Sequence, residues 1–265
     1  MQEFHQDINT YFDMQYRTAA EFIIPYIQQY YSIKPGARVL EIGCGEAGVL
    51  KAFHQLGADC TGIELEAHRI ERAKKLLDTE VSTGRMHFIV KNIYDIDPEK
   101  DGLEKFDLII LKDVIEHIPQ QEKLLPELKK LSRSGGFLFF AFPPWYMPFG
   151  GHQQVLKNKK LSKIPWTHLL PTVLYKKYLK SGGDSDSLVG ELLDLKETGI
   201  SIERFEKLAT KDYQLINRTL FLLNPIYKFK FGWSPLKTPI IMRNIPFIRN
   251  FYSTCAYFLL QNSKK

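Results

Sequence analysis

The run Val39-Leu40-Glu41-Ile42-Gly43-Cys44-Gly45-Glu46-Ala47-Gly48 limits what this chain of 265 residues folds into more than any other segment. An apolar strand ends in a GxGxxG turn that opens a helix. Glycines at those positions permit a tight turn and let a ligand approach the backbone closely. Three glycines alone recur by chance, so the weight of the pattern comes from its surroundings.

Those surroundings are regular. From residue 37 to 142 short apolar runs alternate with helix-period segments, the pattern of βα units repeated around a parallel sheet. Five strands are predicted, over Arg38–Ile42, Asp59–Glu64, 87–90, 106–111 and 136–142, apolar enough for burial on both faces. Helices are predicted over 66–79, with Ala67, Ile70, Ala73 and Leu77 on one face, and over 123–131, with Leu124, Leu128 and Leu131. Ahead of the first strand Tyr16, Ala20, Ile23 and Ile27 share a helical face, with Pro25 placed to break it. Later come short helices over 187–196 and 201–209, then two β-rich runs, 213–223 and 251–260, suited to an antiparallel pair. The stretch between those runs, 224–250, carries four prolines and five aromatics and is long enough to expect a functional loop.

The expected fold class is therefore α/β, with a doubly wound, mostly parallel, seven-stranded Rossmann-like sheet, an antiparallel edge strand and a helical, aromatic insertion after strand five. One domain spans 1–265. Its parts are an N-terminal helical lid (1–36), a cofactor-binding core (37–142), an insertion or substrate cap (143–200), and a C-terminal helix and strand pair with a long basic loop (201–265).

Glu64 closes the second strand at about the distance where an acid binds both hydroxyls of a ribose. Glu41 then separates two ligand classes. In a dinucleotide site the turn and helix N-terminus hold a pyrophosphate, for which a carboxylate two residues ahead of Gly43 is unfavourable. An acid there suits a ligand with a cationic amino group. On these residues the segment resembles motif I of class I S-adenosylmethionine-dependent methyltransferases, and Gly62-Ile63-Glu64 resembles that family's acidic strand end. Further matches follow in order. Lys91-Asn92-Ile93 stands where the family often has Gly-Asp before its adenine-contacting residues, DLIILKDVIEHI (107–118) resembles its fourth-strand motif, and Ser134-Gly135-Gly136 its Pro-Gly-Gly turn. Relative to the family pattern, Asn92 in place of aspartate still allows a hydrogen bond to adenine but removes a charge, and Ser134 in place of proline loses only rigidity.

The resemblance covers 37–142 and implies S-adenosyl-L-methionine as cofactor. It assigns Glu41 and the backbone of Gly43, Cys44 and Gly45 to the methionine end, Glu64 with Leu65 to the ribose, and Asn92 and Ile93 to adenine. Lys112, Asp113 and Val114 would lie beside the sulfonium. Methyl transfer from a sulfonium is an in-line displacement, so the protein chiefly aligns the nucleophile and excludes water. Where an acceptor needs a base, the candidates are His152, His117 and Asp113. His152 lies just beyond strand five, where ligands sit in open α/β sheets, and a histidine of near-neutral pKa takes a hydroxyl proton. Trp145, Tyr146 and Phe149 are expected to line an acceptor pocket, with Lys157, Lys159, Lys160 and Lys163 meeting its charge. Tyr11 and Arg17 stand where a lid is feasible, Arg17 as a clamp for the cofactor carboxylate.

The net charge of +6 is segregated, because seven lysines and no acid lie between Pro143 and Gly183, and eight basic residues and no acid follow Asp212. Such segments concentrate anions, including an anionic membrane face. The expected function is methyl transfer to a small-molecule or lipid-like acceptor. One alternative is a non-catalytic protein on the same fold that binds nucleic acid or membrane through residues such as Tyr227, Lys228, Phe229, Lys230 and Phe231. The other is an NAD-dependent oxidoreductase, against which Glu41 speaks. No nucleic-acid module is recognisable, so nucleic acid is not the expected partner; the sequence sets no oligomeric state. Cys44, Cys60 and Cys255 are odd in number and far apart, and the N-terminus MQEFHQDINTYFD lacks a secretory pattern, so free thiols and a cytoplasmic setting are expected. The seven histidines show no ligand spacing, so no metal is expected.

Overall fold

The computed structural model describes residues 7–263. The first six residues of the expected lid and the terminal Lys264 and Lys265 lie outside that range. The strands are β1 (Arg38–Ile42), β2 (Asp59–Glu64), β3 (Met86–Val90), β4 (Phe106–Lys112), β5 (Ser132–Phe142), β6 (Gln214–Leu223), β7 (Leu236–Lys237) and β8 (Cys255–Gln261). They form one sheet in the order β3-β2-β1-β4-β5-β8-β6-β7. Pairing from β3 through β5 is parallel, and β8 is antiparallel to both β5 and β6.

The long strands number seven, as the sequence predicts. The eighth, β7, is two residues inside the 224–250 loop, too short to leave a periodicity, and it pairs with β6 at the edge. The predicted antiparallel pair, β6 and β8, lies toward that edge, with β8 as its inner member, threaded between β5 and β6. The sequence of β8, Cys-Ala-Tyr-Phe-Leu-Leu-Gln, explains this, since six of its seven residues are buried, as an inner strand requires.

Alternate strand residues feed two cores. Val39, Leu108, Ile110, Phe139 and Tyr257 pack on one face beneath the helices of residues 8–28 and 48–54. Leu40, Ile109, Leu111, Phe140 and Phe258 face the other way, onto Leu124, Leu128 and Phe205 of helices Gln121–Leu131 and Ile202–Ala209. The insertion builds a small core of its own from Leu156, Tyr175, Leu179, Val189 and Leu192, between helices Thr172–Ser181 and Asp186–Thr198. The first of those helices is absent from the sequence prediction because its lysines mask a narrow apolar stripe.

The N-terminal segment passes without a break from helix Ile8–Thr18 through a π-turn, Ala19–Ile23, to Ile24–Gln28, so Pro25 does not end it. The Ile24 N–H reaches back five residues to the Ala19 carbonyl, and this shift of register precedes the proline that would otherwise clash with the preceding turn. The loop 224–250 also has structure, in short helices Tyr227–Phe231, Ile240–Arg243 and Arg249–Tyr252. Its end is pinned by buried Arg249, which donates to Glu203 at 2.8 Å and Glu206 at 2.7 Å, while Asn250 accepts from the Ile202 N–H at 2.8 Å. Among the described residues no helix is long and apolar enough to cross a membrane, and the three cysteines are buried free thiols.

Candidate active site

The strand order reverses between β1 and β4, and the crevice outside their carboxyl ends is where open α/β sheets bind ligands. Here it opens into a cavity of about 1400 Å³. A side chamber of about 80 Å³ adjoins it, lined by Glu41, Gly43, Cys44, Gly45, Lys112, Asp113 and Tyr11.

The glycine turn is held by the next strand, with the Gly43 N–H donating to the Ile63 carbonyl at 2.7 Å. Gly43 has φ +65°, and a Cβ there would lie 2.6 Å from Val114 Cγ2, so both its conformation and its space demand glycine. Gly48 serves differently: a Cβ on it would lie 2.6 Å from the Phe12 carbonyl oxygen, so the third glycine lets the N-terminal helix close over the turn. That helix brings Tyr11 into the cavity wall.

Glu41 is 3% exposed, and its Oε2 has no hydrogen-bond partner. Burial pushes its carboxyl well above the usual range, against the pull of Lys112 and with a further push from Glu64. Glu64 accepts from the Gly45 N–H at 2.8 Å on one oxygen, and from the Leu65 and Glu66 N–H groups at 2.8 and 3.2 Å on the other. Leu65 is exposed beside it. Asn92 Oδ1 accepts from the Tyr94 N–H at 3.0 Å and starts a short helical turn that holds Ile93 at the cavity. The sequence reading missed Arg69, whose guanidinium donates to Glu46 Oε2 at 2.6 Å and Oε1 at 3.2 Å and walls the same cavity. Its signal was the adjacent acid inside the glycine turn.

At the end of β4 the ammonium of Lys112 is buried against Asp113. Burial disfavours the lysine's charge, but Asp113 more than restores it, so its pKa rises. The same pairing overcomes burial at Asp113 and holds its carboxyl below the usual range. Asp113 has φ +55°, which turns its backbone at the strand end. Lys230, from the 224–250 loop, faces this pair, and burial lowers its pKa. Tyr227, Phe231 and Trp233 of the same loop also line the cavity, and burial pushes the Tyr227 hydroxyl up to about 12. Nothing in the residues of that loop pointed to a particular wall of the site.

His117 and His152 meet across the cavity with ring centroids 5.2 Å apart. His117 opens to the cavity and is packed by protein elsewhere, which lowers its pKa. Glu116, beside it, is 3% exposed. The fold brings Glu116, His117 and His152 together with ligand atoms within 4.8 Å of one another. Spacing along the chain hid this, since the third residue arrives from beyond β5.

Other expectations fail for identifiable reasons. Arg17 does not reach the cavity: its guanidinium lies over the Phe229 ring at 4.5 Å and near Glu21 at 3.6 Å. Trp145 packs edge-on against His168, and Tyr146 stacks on Phe251, so of the three aromatics only Phe149 lines the cavity. Of the four lysines, Lys159 and Lys163 line it and Lys157 and Lys160 do not.

A family model described as a methyltransferase domain matches residues 14–172. A ubiquinone biosynthesis O-methyltransferase of Xanthomonas campestris pv. campestris is 31% identical over 107 residues, 40% of this chain. The chain spans only 43% of the length of that relative. Among solved structures, the plantazolicin methyltransferase BpumL, in complex with a triazolic desmethylPZN analogue and S-adenosylhomocysteine, has a TM-score of 0.57 at 17% identity, and the match covers 99% of this chain and 92% of that one. A geranyl diphosphate C-methyltransferase from Streptomyces coelicolor A3(2) has a TM-score of 0.56 at 14% identity, over 92% of this chain and 79% of that one. Both are likenesses of fold.

Proposed function

The chain belongs to the class I S-adenosylmethionine-dependent methyltransferase family, and on that premise we propose that it methylates an oxygen of a small, lipid-like acceptor reached from a membrane surface in the cytoplasm. The observation that carries this is one continuous cavity of about 1400 Å³, lined both by Gly43, Glu64 and Asn92 and by Met147, Phe149 and Phe231. Ligand sites are usually about 300–1,000 Å³, so there is room for two ligands. The names of the relatives, one for ubiquinone biosynthesis and one for geranyl diphosphate, support an acceptor of this kind.

The residues fit the cofactor. The orphaned oxygen of Glu41 awaits a donor, and the backbone at Gly43 leaves a cradle that a Cβ would fill. When bound, S-adenosylmethionine supplies a methyl group on a sulfonium. Glu41 and the turn from Gly43 to Gly45 take its methionine end. Glu64 takes ribose hydroxyls with Leu65 beside it, and Asn92 and Ile93 flank adenine. Lys112 and Asp113 neutralise each other, so the end of β4, next to Val114, sets no net cation against the sulfonium.

Isothermal titration with S-adenosylhomocysteine, with NAD as control, tests this first. We expect micromolar binding of the former alone, weakened at least about tenfold in Glu64→Gln, since a charge-assisted hydrogen bond contributes about 1.5–3 kcal/mol. Binding of NAD alone would sink the proposal.

The membrane contact is supported by apolar side chains displayed on the surface of the 224–250 loop. Ile240, Ile241, Phe247 and Ile248 are 55–79% exposed, on an arm with Lys237 and Arg243 and no acid. Trp166 of the insertion reaches that arm through Tyr146, to whose carbonyl it donates at 3.1 Å and whose ring stacks on Phe251. Exposed apolar patches beside basic residues fit an anionic lipid face. Sedimentation with phosphatidylglycerol-containing vesicles should pellet the protein, and the double change Ile241→Glu, Phe247→Glu should cut binding about tenfold or more, at roughly 1.5 kcal/mol per buried side chain. Equal pelleting of the variant is the contrary result.

A further inference from the structure

We propose that Glu116, His117 and His152 form a site for one divalent transition-metal ion, which takes a hydroxyl oxygen of the methyl acceptor as a further ligand. Its part in the reaction rests on the methyl-transfer reading; the site itself does not.

Each of the three residues offers one ligand atom, and those atoms lie within 4.8 Å of one another. A tetrahedral ion needs ligand atoms about 3.4 Å apart at ordinary metal–nitrogen and metal–oxygen lengths, so small side-chain rotations close the site. The residues come from two segments that the sheet brings face to face. Glu116 and His117 sit on the turn Ile115–His117 after β4, and His152 precedes the turn Gln153–Val155 after β5. His152 holds φ +54°, a conformation uncommon for a non-glycine residue, in the position that sets its ring 5.2 Å from that of His117.

Glu116 supplies the independent sign. It is 3% exposed, lines the cavity, and neither carboxylate oxygen has a hydrogen-bond partner. Buried polar groups are almost always paired, and buried charges are paired or bind metals. Here both oxygens are left for something the protein does not itself provide. The backbone is meanwhile fixed, because Thr198 Oγ1 donates to the Glu116 carbonyl at 2.6 Å.

Donor chemistry selects the ion. Two imidazoles and one carboxylate suit zinc and its first-row neighbours, whereas magnesium and calcium prefer oxygen ligands throughout. Three protein ligands leave positions open toward the cavity, and an acceptor hydroxyl there loses its proton to solvent more readily. The oxygen would then attack the methyl carbon that the cofactor supplies, the O–C bond forming as the S–C bond breaks and S-adenosylhomocysteine leaves as a neutral thioether. His117 and His152 thereby act as ligands rather than as bases.

The test uses the full chain after chelation and dialysis, without cofactor or acceptor. Zn²⁺ is titrated calorimetrically, and Co²⁺ is followed by its visible d–d absorption. We expect one equivalent bound with imidazole-type cobalt bands, affinity at least tenfold weaker in His152→Ala and in Glu116→Gln, and no change in His87→Ala, a surface control. If Glu116→Gln does not fold, His152→Ala decides. Absence of saturable binding, or binding unchanged in both triad variants, overturns the site. S-adenosylhomocysteine titration is read separately, so its failure would sink the methyl-transfer reading and leave the metal site standing.

Discussion

Asp113→Asn is expected to destabilise the protein by about 3 kcal/mol, the low end of what breaking a buried ion pair costs, seen as a lower urea midpoint at pH 7 with unchanged slope. Lys112 is the reason. Its side chain is 5% exposed and its ammonium lies against Asp113, whose own side chain is 34% exposed toward the cavity. Solvent there screens the pair somewhat, which is why the low end applies. Asparagine tolerates the left-handed backbone at φ +55°, so the substitution isolates the charge. What remains is a buried ammonium whose other acidic neighbours, Glu41 and Glu116, act on it at longer range. A change below about 1 kcal/mol would mean that water reaches Lys112 and that the pair is a surface one.

The part of the site that was legible in the sequence is the part built by local chain geometry. A strand that ends in glycines and enters a helix places Glu41, Gly43 and Gly45 at the sheet's carboxyl edge whatever the rest of the chain does. Glu64 and Asp113 follow because parallel strands repeat the same strand-to-turn geometry. Each is fixed by its own strand end.

The residues that escaped are those whose position depends on long-range docking. Arg69 faces the cavity only because its helix packs back across β2. Tyr227 and Lys230 do so because the loop 224–250 folds onto the crevice and is pinned at Arg249. Arg17 was misplaced for the same reason in reverse: the N-terminal helix buries Ala19, Ile23 and Ile27, and this rotation turns Arg17 outward to Phe229. The period of a helix tells which residues share a face, but not what that face meets.

Glu41→Gln should have opposite effects on stability and on binding. In the folded protein burial holds the Glu41 carboxyl in its proton-bearing form well above the usual range. In the unfolded chain a glutamate ionises near pH 4.3, at about its reference value. The folded state therefore binds more protons above that pH, so the Glu41 contribution to stability falls as pH rises from about 4.3 to the folded pKa and is level beyond it. Glutamine has no proton to lose, so the variant should lack this decline and melt higher than the wild type at pH 7. Cofactor affinity should move the other way. An arriving ammonium takes the place of the proton, and losing that charged contact, about 1.5–3 kcal/mol, weakens S-adenosylhomocysteine binding roughly 10–100-fold. Titration in two buffers of different ionisation enthalpy reads the same event directly: the wild type releases a proton on binding and Glu41→Gln does not. Equal affinity in the variant, or binding without proton release in the wild type, would detach Glu41 from the ligand and leave its burial without a function.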